Sequence, residues 1–427
     1  MKPTRSRQRV KYIISSVLPL PAKERAYDVL KFLKRKRVVL GRKLSPLKRW
    51  MVRRFGAGAR PLGVNLVAYI RAEMGLGEAA RGLASALEAA DIDFGIVNIE
   101  KGNDARHGDL SWARKEMTNP PYDVTVISIN PDNHESVLEC APAAVLGARY
   151  VVGNWYWELS EFPDKWSSVF TFFDEIWAPS QFIKNAISSK SPVPVVRIPP
   201  VVKVYVTAPV RRTLRLPEHR FLFLTMFDVK SIPERKNPID AVRAYKQAFP
   251  CVGDRVGFVL KVSGNEPDHP FMQLLREQLD GRPDIFIRAE MLSRAEVNSL
   301  VASCDCFVSL HRSEGFGLGP AEAMYLGKPV IATNWSGNTD YMDSDNSIGI
   351  SYRLTTLGRD YGPYPAHQQW AEPNIDEAAY WMARISRDEQ LARKIGENGR
   401  ATIVAEYSPE AVGKVIRERL NAIWRYM

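Results

Sequence analysis

A chain of 427 residues, 45% hydrophobic and 25% charged, has enough material for two ordinary cores and lacks the bias of disordered or collagen-like proteins. Its four cysteines, Cys140, Cys251, Cys304 and Cys306, are too few and too irregularly spaced for a disulfide framework, and no pair has a second pair at zinc-site spacing. These features predict a reducing compartment and no bound metal. The net charge of +11 is confined to one end, because residues 1–60 carry 19 Lys and Arg against Glu24 and Asp28, whereas the remaining chain is −6. The body is therefore mildly acidic, which argues against nucleic acid as its partner.

The basic arm, residues 1–60, comes first. Its opening, basic through Lys11 and then apolar from Tyr12, has the charge order of a signal peptide. Two serines and two prolines interrupt the apolar stretch, however, and charged residues stand where a cleavage site needs small ones. No run approaches the length of a transmembrane helix. Ala26, Val29, Leu30 and Leu33 fall at helical spacing among Lys31, Lys34, Arg35, Lys36 and Arg37. Residues 1–55 thus suit either an anionic membrane surface or a solvated basic extension.

From Pro61 the texture becomes short apolar runs alternating with helical patterns, the mark of a parallel α/β architecture. Strands are expected at 64–69, 94–98, 124–129, 150–155, 175–178 and 195–198. A second series follows at 221–226, 257–262, 285–288, 306–310 and 330–333, with helices at 238–248, 271–279 and 294–302. Cys304 and Cys306 are expected to share one face of a strand as core thiols. The Pro- and Arg-containing stretch 203–216 marks a junction between two Rossmann-like, doubly wound domains, 61–205 and 215–405, facing each other across a cleft. A C-terminal helix within 406–427 closes the chain.

Four motifs carry chemistry. The first is Ser313-Glu-Gly-Phe-Gly-Leu-Gly-Pro-Ala-Glu322, where a strand ends near Leu310 and Pro320 suits the first position of a helix. Gly315, Gly317 and Gly319 keep the loop open, so its N–H groups and the helix dipole can meet a diphosphate. With Phe316 and Leu318 they form the expected donor wall. Glu314 before the helix and Glu322 in its first turn are placed to bind vicinal hydroxyls of a sugar nucleotide. The second motif, Phe227-Asp-Val-Lys-Ser-Ile-Pro-Glu-Arg-Lys236, supplies cations for a departing diphosphate, with Lys236 and either Arg235 or Lys230 as candidates. The third is Gly75-Leu-Gly77 at a helix start on the opposite wall. The fourth is Trp155-Tyr-Trp-Glu-Leu-Ser-Glu161, whose rings suit a sugar face and whose Glu158 suits an acceptor hydroxyl. His311 reads as a structural histidine, and Ser336–Asp340 as the far edge of the donor pocket.

The pair Glu314 and Glu322 resembles the E-x7-E signature of the fourth family of retaining glycosyltransferases, the polysaccharide-synthesis type of glycosyl transferases group 1. The resemblance implies the GT-B fold from about Pro61 onward, Glu314 on the donor hexose, Glu322 on the ribose, and Lys236, with Arg235 or Lys230 in place of the family's arginine, on the diphosphate. Asp228 stands where that family often has a Gly-Arg pair, and Trp157-Glu158 where many relatives have a histidine turn. The implied reaction is hexose transfer, with retention, from a nucleotide-diphosphate sugar to a glycan or lipid-linked acceptor. No cofactor or required metal is implied, and the implied place is the cytoplasm, peripheral to the inner membrane face. A sugar-nucleotide epimerase of the same fold and a non-enzymatic binding protein are the competing readings.

Overall fold

The computed structural model describes residues 60–206, 211–264 and 269–427; the basic arm, apart from Arg60, lies outside them. Six strands form a first parallel sheet: β1 (Val64–Ala68), β2 (Phe94–Asn98), β3 (Val124–Ser128), β4 (Tyr150–Asn154), β5 (Glu175–Ala178) and β6 (Val195–Arg197), in the order β2-β1-β3-β4-β5-β6. A second parallel sheet contains β7 (Phe221–Asp228), β8 (Val256–Ser263), β9 (Ile285–Arg288), β10 (Cys306–Ser309), β11 (Val330–Thr333) and β12 (Ile348–Ile350), in the order β12-β11-β10-β7-β8-β9. In both sheets the order reverses beside the first strand, which opens a crevice at the strands' carboxyl ends.

Burial explains why these strands read as continuous apolar runs. Every residue of β1 and β3 is buried, as expected when both sheet faces are covered. Along the second sheet the alternation separates two cores. Phe223, Phe258, Leu260, Val308 and Ile331 lie in one cluster, and Leu222, Leu224, Val259, Phe307 and Val330 in the other.

The helices are α1 (Gly75–Ala89), α2 (His134–Cys140), α3 (Ala143–Leu146), α4 (Gln181–Ser188), α5 (Pro233–Lys236), α6 (Pro238–Ala248), α7 (Pro270–Leu279), α8 (Arg294–Ser303), α9 (Leu318–Tyr325), α10 (Ile375–Ile385), α11 (Glu389–Tyr407) and α12 (Pro409–Tyr426). In α1, Ala80, Leu83, Ala84 and Leu87 are buried at helical spacing. The last helix leaves the second sheet and returns to the first. It meets α1 so closely that a Cβ on Gly413 would stand 2.6 Å from the Ala86 carbonyl oxygen. Arg419 of α12 donates through Nε to Glu175 Oε1 at 2.8 Å, and its Nη2 reaches the other carboxylate oxygen. Glu175 is fully buried and also accepts from Trp177 and Tyr150, so its charge is compensated on all sides.

Three expectations need correction. Helix α9 begins at Leu318 rather than Pro320, so Glu322 lies in its second turn; Gly317, at φ 85°, makes the entry turn, and Pro320 sits where helical N–H groups have no partner to lose. Cys304 caps the end of α8 instead of belonging to a strand, and it packs on the opposite side of the sheet from Cys306. Both thiols are buried and free. The second sheet is also followed by an antiparallel hairpin, β13 (Tyr352–Thr356) and β14 (Gln369–Pro373), absent from the expected elements. No helix among the described residues is long and apolar enough to cross a membrane.

Candidate active site

The loop after β7 is bent by two non-glycine residues in the left-handed region, Ile232 at φ 52° and Asn237 at φ 53°, which bracket the single turn α5. Such a conformation is costly for a β-branched residue and persists only where the surroundings impose it. Asn237 supplies part of that constraint by donating to the Leu310 carbonyl at 3.0 Å and to Asp240 Oδ2 at 2.9 Å. The result is that Arg235 and Lys236 point toward the loop after β10.

There they meet Glu314. Lys236 Nζ binds Glu314 Oε1, and Arg235 Nη1 stands 3.2 Å from Oε2 while donating to the Ser313 carbonyl at 2.8 Å. Arg235 and Glu314 are 4% and 6% exposed, so the pair is well removed from bulk water. Burial raises the Glu314 carboxyl, but the charges of Lys236 and Arg235 outweigh it and hold it down to about 2. Burial also pulls the Lys236 ammonium below its ordinary value, against the opposing pull of Glu314. One carboxylate and two cations leave this cluster with a formal charge of +1. Lys230, the alternative cation, is exposed.

Backbone contacts fix Glu314 from the other side. Its N–H donates to Ser336 Oγ at 2.8 Å, and its carbonyl accepts from Gly337 N–H at 2.9 Å. Ser336 adopts φ 78°, and a Cβ on Gly337 would fall 1.9 Å from the Gly315 carbonyl oxygen. His311 is fully buried, with Nδ1 at 2.9 Å from Ser309 Oγ and Nε2 at 3.0 Å from Asn338 Oδ1. Burial lowers its pKa, so the ring is neutral and supports the Ser336–Asp340 segment.

Glu322 takes a different partner. It is 4% exposed and binds Arg294 Nη2; burial raises its carboxyl, and Arg294 pulls the other way. Arg294 Nε is also 3.4 Å from Glu78 Oε1, and Glu78 accepts from Arg81 at 2.8 Å. This chain of alternating charges joins the second sheet's Glu322 to α1 of the first.

The glycine-rich segments divide in role. A Cβ on Gly75 would meet nothing within 4 Å, so this residue lies open at the start of α1, whereas one on Gly77 would stand 2.0 Å from the Ala72 carbonyl oxygen. Gly77 therefore serves close packing. A Cβ on Gly315 would stand 2.7 Å from the Trp157 carbonyl oxygen, and one on Gly319 would stand 3.1 Å from the Phe307 ring. Phe316 is buried against Tyr341 and Tyr407, with centroids at 5.0 and 5.5 Å, so only its backbone remains at the loop. Leu318 packs on the same core. Neither α1 nor α9 has a side-chain N-cap, unlike helices begun by Ser180, Ser293, Asn374 and Asp388. Both therefore keep first-turn N–H groups for an anion.

Trp155 and Trp157 belong to the core of the first sheet, while Glu158 is half-buried and accepts from Tyr364 at 2.9 Å. Arg294 and Tyr364 were missed from sequence. Arg294 follows Ser293 and precedes Glu296, which together form a capping box, so the local pattern announces a helix start and nothing more. Tyr364 carries no local signal. Among the described residues no group of three or more His, Cys, Asp or Glu is arranged to hold a metal ion.

Residues 212–353 match the model of the family described as glycosyl transferases group 1, a span holding Arg235, Lys236, Glu314 and Glu322 together. The second half of the chain carries a glycosyl transferases group 1 domain. Human alpha-1,3/1,6-mannosyltransferase ALG2 is 29% identical to this chain over 156 residues, 36% of this chain and 32% of that protein. An MMP alpha-(1→4)-mannosyltransferase of Mycolicibacterium hassiacum is 30% identical over 149 residues, 34% of this chain and 31% of that one. These matches span about a third of the length of either relative. Likeness of structure extends beyond the group 1 domain. Anabaena HepE, solved in complex with UDP and glucose, aligns with TM-score 0.59 at 16% identity, covering 84% of this chain and 100% of that one. Sucrose-phosphate synthase from Thermosynechococcus elongatus aligns with TM-score 0.61 at 15% identity, covering 86% and 100%. The two facing sheets are thus the GT-B fold.

Proposed function

We propose that the chain is a retaining glycosyltransferase moving a hexose from a nucleotide-diphosphate sugar to a hydroxyl of a glycan or lipid-linked acceptor. One observation carries the reading: Glu314 is held by Arg235 and Lys236 in a buried cluster of net charge +1, beside a helix start with no side-chain cap. A carboxylate so fixed accepts hydrogen bonds from hexose hydroxyls, while the surplus cation and the helix dipole meet the diphosphate. Arg235 Nε is buried without a hydrogen-bond partner among the described residues, a donor that a phosphate oxygen would satisfy. The mannosyltransferase relatives and the UDP-bound neighbour support a sugar nucleotide as donor.

In the reaction, the bond between the anomeric carbon and the phosphate oxygen breaks and its electron pair leaves with the nucleoside diphosphate. Arg235, Lys236 and the start of α9 stabilise that charge in a site shielded from water. The acceptor oxygen bonds to the anomeric carbon on the same face, and its proton passes to the departing phosphate oxygen. No protein nucleophile is needed. Fixed cations supply the charge, so the reading requires no metal, and activity should persist in EDTA. A cytoplasmic enzyme using residues 1–55 to touch an anionic inner leaflet, in synthesis of bacterial surface polysaccharide, fits the separation of charge along the chain.

The test is incubation with UDP-glucose and with GDP-mannose, with and without an alkyl glycoside, followed by NMR of the product. Retention with acceptor-dependent donor consumption is expected. Inversion would sink the mechanism, and isomerised donor sugar without acceptor would favour an epimerase. Deleting residues 1–55 should abolish salt-sensitive binding to anionic liposomes.

A further inference from the structure

The β13–β14 hairpin follows the second sheet, yet its loop packs on the first. Leu357, Tyr364 and Trp370 are buried in the cluster that contains Trp155, Trp157, Phe162 and Ile183. The Tyr364 ring meets Trp157 edge-on at 5.2 Å, and its hydroxyl donates to Glu158 Oε2 at 2.9 Å. His367, farther along the same loop, places Nε2 at 3.3 Å from Glu161 Oε2. From the donor side, Ser313 Oγ donates to the Glu158 carbonyl, and Gly315 lies against the Trp157 carbonyl. Glu158 is thus gripped by the donor loop through its backbone and by the hairpin through its carboxylate.

This grip has a chemical direction. Glu158 Oε2 is taken by Tyr364, while Oε1 has no hydrogen-bond partner among the described residues. The charge of Glu158 acts on Arg235 and Lys236, so the carboxylate stands within electrostatic reach of the donor cations. It also acts on Asp132, a carboxyl after β3 whose proton affinity is raised mainly by burial and further by Glu158. A free carboxylate oxygen beside the donor site is a suitable partner for one hydroxyl of an acceptor sugar, fixing the sugar so that a neighbouring hydroxyl is oriented for attack.

We infer that the β13–β14 loop completes the acceptor subsite, with Tyr364 as a positioning residue that turns Glu158 so that Oε1 accepts a hydrogen bond from an acceptor-sugar hydroxyl beside the attacking one. The inference rests on the transferase reading above. Burial and the neighbouring Glu158 push the Tyr364 phenol well above its ordinary range, so it stays protonated and remains the donor in this pair. Without its hydroxyl, Glu158 would lose its orientation.

The experiment compares wild type, Y364F, E158Q and the double variant, using UDP-glucose or GDP-mannose, whichever wild type consumes, and octyl glucoside and octyl mannoside as acceptors. Y364F keeps the ring and its packing. It should raise the acceptor KM about tenfold, the size of one lost hydrogen bond to a charged group, and leave the donor KM and the calorimetric Kd for UDP or GDP within about twofold. E158Q should weaken acceptor use at least as much, and Y364F should add nothing in that background. An unchanged acceptor KM, a donor KM that rises equally, or additive effects would overturn the assignment. Failure of the wild type to transfer to any acceptor while still binding nucleotide would overturn the transferase reading itself, and this inference with it.

Discussion

Replacing Glu314 with Gln keeps the shape of the side chain and removes the charge that two buried cations share. In the native cluster the Glu314 carboxyl lies at about 2 instead of 4.5 because Lys236 and Arg235 outweigh its burial. The folded state therefore binds this proton less readily than the unfolded chain. The associated stability is present above pH 4.5 and is lost as pH falls toward 2. At about 1.4 kcal/mol per pH unit, the difference corresponds to about 3 kcal/mol, of the same order as the ~3–5 kcal/mol of breaking a buried pair. Lys236 is 28% exposed in its side chain and its ammonium is already depressed, so hydration or loss of its proton relieves part of the cost. E314Q is therefore expected to unfold in urea with about 2–3 kcal/mol less stability at pH 7. The gap from wild type should narrow between pH 4.5 and pH 3. Equal stability at pH 7, or a gap that does not change with pH, would refute the electrostatic account of this cluster. Donor binding by E314Q should be measured at low temperature, where the variant is folded, so that lost binding is not mistaken for lost fold.

The two glycines opening α1 should separate cleanly: G75A meets open space and should change urea stability by less than about 0.5 kcal/mol, whereas G77A presses on the Ala72 carbonyl and should cost several-fold more. G337A places a methyl group against the Gly315 backbone, and loss of nucleotide binding by calorimetry is expected even where the protein remains folded. Full binding would show that the loop can give way. Burial keeps His311 neutral in the folded state, so its contribution is present above pH 6.5 and declines as pH falls below it. H311N should flatten the stability profile between pH 6.5 and 5, measured by urea titration; an unaltered slope would place that proton uptake elsewhere. E322A removes the partner of Arg294 and should weaken binding of UDP or GDP at least tenfold if that carboxylate holds the ribose, a loss that calorimetry reads directly.

Much of the architecture was readable along the chain for a definite reason. Parallel strands buried on both faces must be apolar throughout, so β1, β3, β5 and β11 stand out as runs, and the helices between them keep a 3.6-residue period. The loop from Ser313 to Glu322 was readable because three glycines in five residues between a strand and a helix mark an open backbone turn. The start of α9 was misplaced because proline is tolerated throughout a first turn, so Pro320 does not mark its first residue.

By itself, then, the sequence determined the two parallel α/β sheets, the uneven distribution of charge and the residue types of the loop from Ser313 to Glu322, since each follows from local periodicity or composition. Tertiary structure alone decided which cation accompanies Glu314. Arg235 and Lys230 are equivalent as charges near a helix start, and only the bend between Ile232 and Asn237 carries one of them to a carboxylate 79 residues away. It also decided that Glu322 is answered by Arg294 and Glu158 by Tyr364, the latter 206 residues distant. Hydrogen bonds and ion pairs act over a few ångströms, and a pattern along the chain cannot encode a meeting that exists only after both sheets have folded.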